Sequence, residues 1–182
     1  MLLIDFINVF IREGGPRLSV DAVRAARHAA ALKRRLRRSR VPVIYANDHF
    51  GNWQSDFPSL VKYCGARNGC SAELVRLLAP QPEDYSVLKP RHSAFYGTPL
   101  EFLLEELGVR RLILAGIEAD VCVMYTAHDA YMRKFSLWVP RNCTAARSTN
   151  RLNSALSFMK VNLKADLRPA GDRVHVRSVF GS

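Results

Sequence analysis

Hydrophobic positions along the chain follow two alternating rhythms. Short apolar runs at 1–5 (MLLID), 42–47 (PVIYAN), 85–89 (YSVLK), 111–115 (RLILA) and 136–140 (SLWVP) predict buried strands. Over 20–39 the spacing changes to a helical one, with Ala22, Ala25, Ala29, Leu32 and Leu36 on one face. Shorter helical stretches are predicted near Leu60 and over 73–78, after a loop rich in Gly, Trp and Pro. Further helices are predicted over 99–107, ended by Gly108, and over 120–134 and 150–163. Strands alternating with helices of this length predict βαβ units, and so an α/β fold with a mostly parallel sheet. Residues 1–170 read as one domain with no repeat or linker, and 171–182 as a short strand or tail.

Right-handed crossovers bring the C-terminal ends of parallel strands to one edge of the sheet, where ligands of such folds bind. Asp5 closes the first strand and Lys89 the third. After RLILA the chain turns through Gly116-Ile117-Glu118-Ala119-Asp120-Val121 to Cys122 on the first turn of a helix. A carboxylate, an ammonium and a thiol therefore converge from separate strands.

Composition narrows the class. A chain of 182 residues, 48% hydrophobic and 24% charged, can bury the core of a single globular domain. Its apolar runs fall short of the ~18 residues of a membrane span. The apolar start is too brief for a signal peptide and is interrupted by Asp5, so cytoplasmic residence is expected. Cys64, Cys70, Cys122 and Cys143 lack the paired spacing of a structural zinc site and read as reduced thiols. The net charge of +11 raises nucleic acid as a partner. Much of it lies between Arg24 and Arg40, on the polar side of the 20–39 helix and without interleaved aromatic residues. That pattern fits a solvated helix face better than a nucleic-acid platform.

A free thiol titrates near ~8.5, and a helix N-terminus with a neighbouring Lys89 ammonium favours its thiolate. Asp5 can take the thiol proton and pass it on, while backbone N–H groups of the turn can hold an oxyanion. Each group also has a plain structural explanation: Asp5 as a turn cap, Cys122 as a small hydrophobe, Lys89 as a surface residue. From the residues alone, catalysis and structure are evenly balanced.

Four segments carry a resemblance that runs from Leu2 to about Pro169: LLIDFIN, VIYANDHFGNWQSDF, LKPRHSAFYGTPL and LILAGIEADVCVMYTAHDAYMRKFSLWVP. They resemble the isochorismatase-like superfamily of cysteine hydrolases, which includes nicotinamidases and N-carbamoylsarcosine amidohydrolases; the second is similar to a bacterial branch of unassigned members. The resemblance implies a three-layer α-β-α fold with a six-stranded, mostly parallel sheet. It implies Cys122 as nucleophile through a thioester, Asp5 as proton carrier and Lys89 as the polarising cation. It further implies a cis peptide between Ile117 and Glu118, an oxyanion hole from the amides of Glu118 and Cys122, and a dimer or tetramer.

Departures from the family sharpen the expectation. Nicotinamidases use an Asp, a His two residues on and further histidines to hold a metal; here Phe50 follows Asp48 at that spacing, and no histidine lies between His49 and His92. No metal or other cofactor is expected. Isochorismatases proper commonly lack the cysteine, so its presence favours a C–N bond (amide, imide or carbamoyl) over an ester or vinyl ether. Glu118 stands where small residues are usual, and its side chain is expected to face away from the site. Phe6, Trp53, Phe95 and Tyr125 are candidate walls of a small-molecule pocket, with Asn47 and Asp48 as polar anchors. His92 and His128 flank the key segments, His128 too far along the helix to partner the thiol. The contrasting reading is a degenerate site in a binding or assembly module.

Overall fold

The computed structural model describes residues 1–10 and 15–171; the expected C-terminal strand or tail at 171–182 lies outside them from its second residue on. Six parallel strands form one sheet: β1 (Leu2–Ile4), β2 (Ile44–Asp48), β3 (Tyr85–Lys89), β4 (Arg111–Ile117), β5 (Ser136–Trp138) and β6 (Thr144–Ala145). The order is β3-β2-β1-β4-β5, and β6 pairs with the far end of β4 at Gly116 and Ile117. Helices α1 (Gly15–Arg38), α2 (Phe57–Gly65), α3 (Cys70–Leu77), α4 (Leu100–Glu106), α5 (Met124–Met132) and α6 (Thr149–Asn162) cover the sheet.

Strand alternation divides the core in two. Leu3, Tyr45, Ile113 and Ala115 face a cluster containing Ala22, Ala29, Leu32 and Leu36 of α1 together with α2 and α3. Their neighbours Leu2, Ile4, Ile44, Leu112 and Leu114 face the opposite cluster with α4, α5 and α6. The fold is thus the three-layer α/β arrangement. The alanine face of α1 sits close to the sheet, and several of its basic residues are paired. Arg27 meets Glu73 at 2.7 Å, and buried Lys33 contacts Asp84 and the Tyr45 hydroxyl, each at 2.6 Å.

Three local outcomes differ from the hydrophobic pattern. β4 runs two residues past RLILA, to Ile117. β6 is only two residues long, too short to show alternation. The helix expected from 120 begins instead as a π-helical turn, Ala119–Val123, with α5 following only at Met124.

Winding reverses at β1, which lies between β2 and β4. Such a switch point opens a crevice beyond the carboxyl ends of the two central strands. Gly116 pairs with Ile4 there. A Cβ on Gly116 would lie 2.2 Å from the Ile4 carbonyl oxygen, so only glycine lets these strands approach so closely.

Candidate active site

Asp5 follows the last residue of β1 and takes a left-handed backbone with φ of 52°. Its N–H still donates to the Ala46 carbonyl at 3.0 Å, which fixes the turn against β2. The side chain is buried and both carboxylate oxygens are held. The Asp48 N–H donates to Oδ1 at 2.7 Å, and Lys89 Nζ lies 2.7 Å from Oδ2. Lys89 ends β3 with no solvent exposure. Besides Asp5, its ammonium donates to the Arg91 carbonyl at 3.2 Å and to Cys122 Sγ at 3.5 Å. Three N–H bonds thus meet three acceptors, which offsets the cost of burying the charge.

Cys122 lies in the π-helical turn after β4. The Val121 and Val123 amides both donate to the Glu118 carbonyl, at 3.0 and 3.1 Å, and the Ile117–Glu118 peptide is cis. Thr126, fully buried one turn on, donates to the Cys122 carbonyl at 2.7 Å and accepts from the Ala94 N–H at 3.0 Å. Ser93 bonds Asp129 of the same helix. These contacts tie the loop after Lys89 to the helix that follows Cys122. Thr126→Val keeps the shape but removes the donor to the Cys122 carbonyl and the acceptor for the Ala94 N–H. Turnover is expected to fall ~10-fold, with a stability loss of ~1–3 kcal/mol. Kinetics and a denaturant titration measure the two effects, and an unchanged rate would show that the bridge does not position the thiol.

Electrostatics corrects the expectation of a resting thiolate. Burial first, then the Asp5 charge, push the Cys122 thiol up, and the Lys89 ammonium only partly opposes them. Burial also raises the Asp5 carboxyl, against the pull of Lys89, Cys122 and the Asp48 amide. Burial works against the Lys89 charge, but attraction to Asp5 and Cys122 wins and raises that group. Cys64 and Cys143 are pushed up to about 11 and about 12, with burial the leading cause. Burial and the Asp5 charge thus disfavour the thiolate, while burial makes the Asp5 carboxylate a better acceptor for a proton from the thiol.

Asp5 and Cys122 open onto a cavity of about 670 Å³, within the range of small-molecule sites, with Lys89 buried behind them. Val9, Phe10, Leu18, Phe50 and Val121 form its apolar wall, and Asn8, Asp48, Tyr63 and His92 its polar part. A second cavity of equal volume, near Arg24, His28 and Arg141, contains no cysteine.

Of the six residues expected to bind substrate, only Asp48 lines the reactive cavity. Phe6 and Phe95 are packed into the two cores, because the sheet faces outcompete the pocket for large apolar side chains. Asn47 is buried and donates to the Ile7 carbonyl at 2.8 Å. Trp53 is exposed and packs on His49, and Tyr125 packs on His92 outside the cavity lining. Glu118 also departs from expectation. It and Arg147 both line the cavity, and they form a two-point ion pair at 2.8 and 3.1 Å. Arg147 was not singled out in the sequence, since no local pattern signals a partner 29 residues away. His92 Nδ1 lies 3.9 Å from Cys122 Sγ, whereas His128 bonds the Met124 carbonyl at 2.8 Å.

Metal ligation of the nicotinamidase kind does not fit these residues. Asp48 Oδ1 accepts from the Phe50 N–H at 2.6 Å, and His49 Nδ1 accepts from the Gly51 N–H at 3.0 Å. Both side chains therefore serve the turn. Among the described residues, no group of three or more His, Cys, Asp or Glu is placed to hold a metal ion. Nor is any helix among them long and apolar enough to cross a membrane.

Comparison with known proteins agrees with this geometry. An isochorismatase family protein from Bacillus subtilis (strain 168), the uncharacterized YaaI, is 39% identical over 92% of this chain and 91% of its own length. The ureidoacrylate amidohydrolase RutB of Enterobacter sp. (strain 638) is 41% identical over a shorter stretch, 38% of this chain and 30% of that protein. The crystal structure of N-carbamoylsarcosine amidase from Thermoplasma acidophilum superposes with a TM-score of 0.72 at 27% identity, covering 96% of each chain. The isochorismatase domain profile matches residues 1–167, and the chain belongs to the isochorismatase family as a hydrolase.

Proposed function

We propose that this hydrolase cleaves a C–N bond of an amide, imide or carbamoyl group in a small molecule, through a thioester on Cys122 and without a metal. The observation that carries the reading is the contact set of Lys89 Nζ, 2.7 Å from Asp5 and 3.5 Å from Cys122 Sγ, at the edge of the cavity. Two of the similar proteins are named for this bond type, an amidohydrolase and an amidase.

Attack begins as Cys122 Sγ bonds to the substrate carbonyl carbon and its proton passes to Asp5. Lys89 remains charged throughout. It offsets the negative charge on sulfur, and the amides of Glu118 and Cys122 receive the developing oxyanion. As the tetrahedral intermediate collapses, the C–N bond breaks and Asp5 gives its proton to the departing nitrogen. Water then releases the acid or carbamate product and restores the thiol.

A panel of amides, ureas, carbamates, esters and vinyl ethers, assayed with and without EDTA, tests the reading. Turnover is expected for C–N substrates, unaffected by chelator, with an acyl adduct on Cys122 in intact-mass spectra. Loss of activity in EDTA that zinc restores, or turnover of vinyl ethers alone, would sink it.

A further inference from the structure

We propose that His92 is a second catalytic residue, the general base of the hydrolytic half-reaction, leaving Asp5 to serve the acylation half. This rests on the thioester reading above. His92 lies in the loop after β3, just before the buried Ser93–Phe95 turn. Its Nδ1 is 3.9 Å from Cys122 Sγ, its ring packs on Tyr125 of α5 with centroids 5.4 Å apart, and it lines the reactive cavity.

The two proton acceptors near the sulfur differ in access. Asp5 is buried, with one oxygen held by the Asp48 amide and the other by the Lys89 ammonium. His92 is solvent-exposed and reaches the same sulfur from a cavity wall. Both line the cavity through which the hydrolytic water enters, but the Asp5 oxygens already have partners, whereas the exposed imidazole is open to that water. The loop carrying His92 is also anchored, through Ala94 to Thr126 and through Ser93 to Asp129, so the ring is held against the nucleophile turn.

The step balances as follows. The water oxygen bonds to the thioester carbonyl carbon while a ring nitrogen of His92 accepts one of its protons. On collapse the C–Sγ bond breaks, its electron pair stays on sulfur, and the imidazolium returns the proton to Cys122. The products are the free acid and the starting thiol, with no other reagent needed.

The test uses p-nitrophenyl acetate, whose leaving group departs without needing a proton and so isolates the second half-reaction. Enzyme acetylated on Cys122 is desalted, and loss of the acetyl group is followed by intact mass in wild type, His92→Phe and His92→Gln. Phe retains a ring against Tyr125, and the exposed position spares the fold. Deacetylation is expected to slow by ~10²-fold in both variants, at least about tenfold more than any fall in the initial rate of nitrophenolate release. Unchanged deacetylation, or an equal fall in both rates, would overturn the assignment. Cys122→Ala controls for the site of acylation: if wild type acquires no acetyl group there, the thioester reading itself fails and takes this one with it.

Discussion

Cys122→Ala is expected to lower turnover by ~10⁴-fold or more, since the covalent route then has no nucleophile. The fold should survive. Cys122 is only partly buried, and its backbone contacts, the Thr126 bond to its carbonyl and the flanking amides on Glu118, remain in the alanine variant. What is lost in stability is the sulfur's packing and the third acceptor of the Lys89 ammonium, together ~1 kcal/mol. Cys70→Ala, at the start of α3, is the matched control and should keep full activity. Steady-state kinetics on any substrate found in the panel, paired with thermal melts, make the comparison. A fully active Cys122→Ala variant would remove the thiol from the mechanism.

Lys89→Met should be the most damaging single change to the fold near the site. Removing the ammonium leaves the Asp5 carboxylate buried with no cation beside it, held only by neutral donors, and stranding a buried charge in this way costs ~3–5 kcal/mol. The loss depends on pH. Burial already raises the Asp5 carboxyl, and Lys89 is the leading opposing influence. Without it the folded carboxyl titrates still further above the unfolded value of ~3.9, so the folded protein binds the extra proton. The deficit is therefore small below about pH 4, and grows as pH rises through the folded value. Urea titrations at acid and neutral pH read this directly; equal deficits at both would refute it. Adding Asp5→Asn should recover much of the stability but none of the activity, separating the charge-balancing role of Lys89 from the catalytic one proposed for it.

Much of this architecture is written in the one-dimensional pattern of the chain. The apolar runs LLI, VIYA, RLILA and SLW become sheet strands because alternate residues face two separate helical layers, and such burial leaves a strong one-dimensional trace. The convergence of Asp5, Lys89 and Cys122 was legible for a related reason, since parallel topology sends strand ends to one edge. The two-residue β6 left no such trace, and neither did the π-helical turn, whose residues Ala-Asp-Val-Cys-Val read equally well as a regular helix.

The fold class, the strand ends and the three groups that meet beyond them follow from the linear pattern of residues. The cavity walls and the electrostatic balance at the thiol emerge only from three-dimensional packing. Phe6 and Phe95 went to the cores, while Phe10, Tyr63, His92 and Arg147 reached the cavity from four separate segments. The Cys122 thiol, expected to favour its thiolate, is pushed the other way, because its enclosure and the nearby carboxylate outweigh the single ammonium. The physical reason is common to both. Periodicity records which side of its own element a residue occupies, whereas pocket lining and ionisation depend on how much water and which charges the other elements leave beside it.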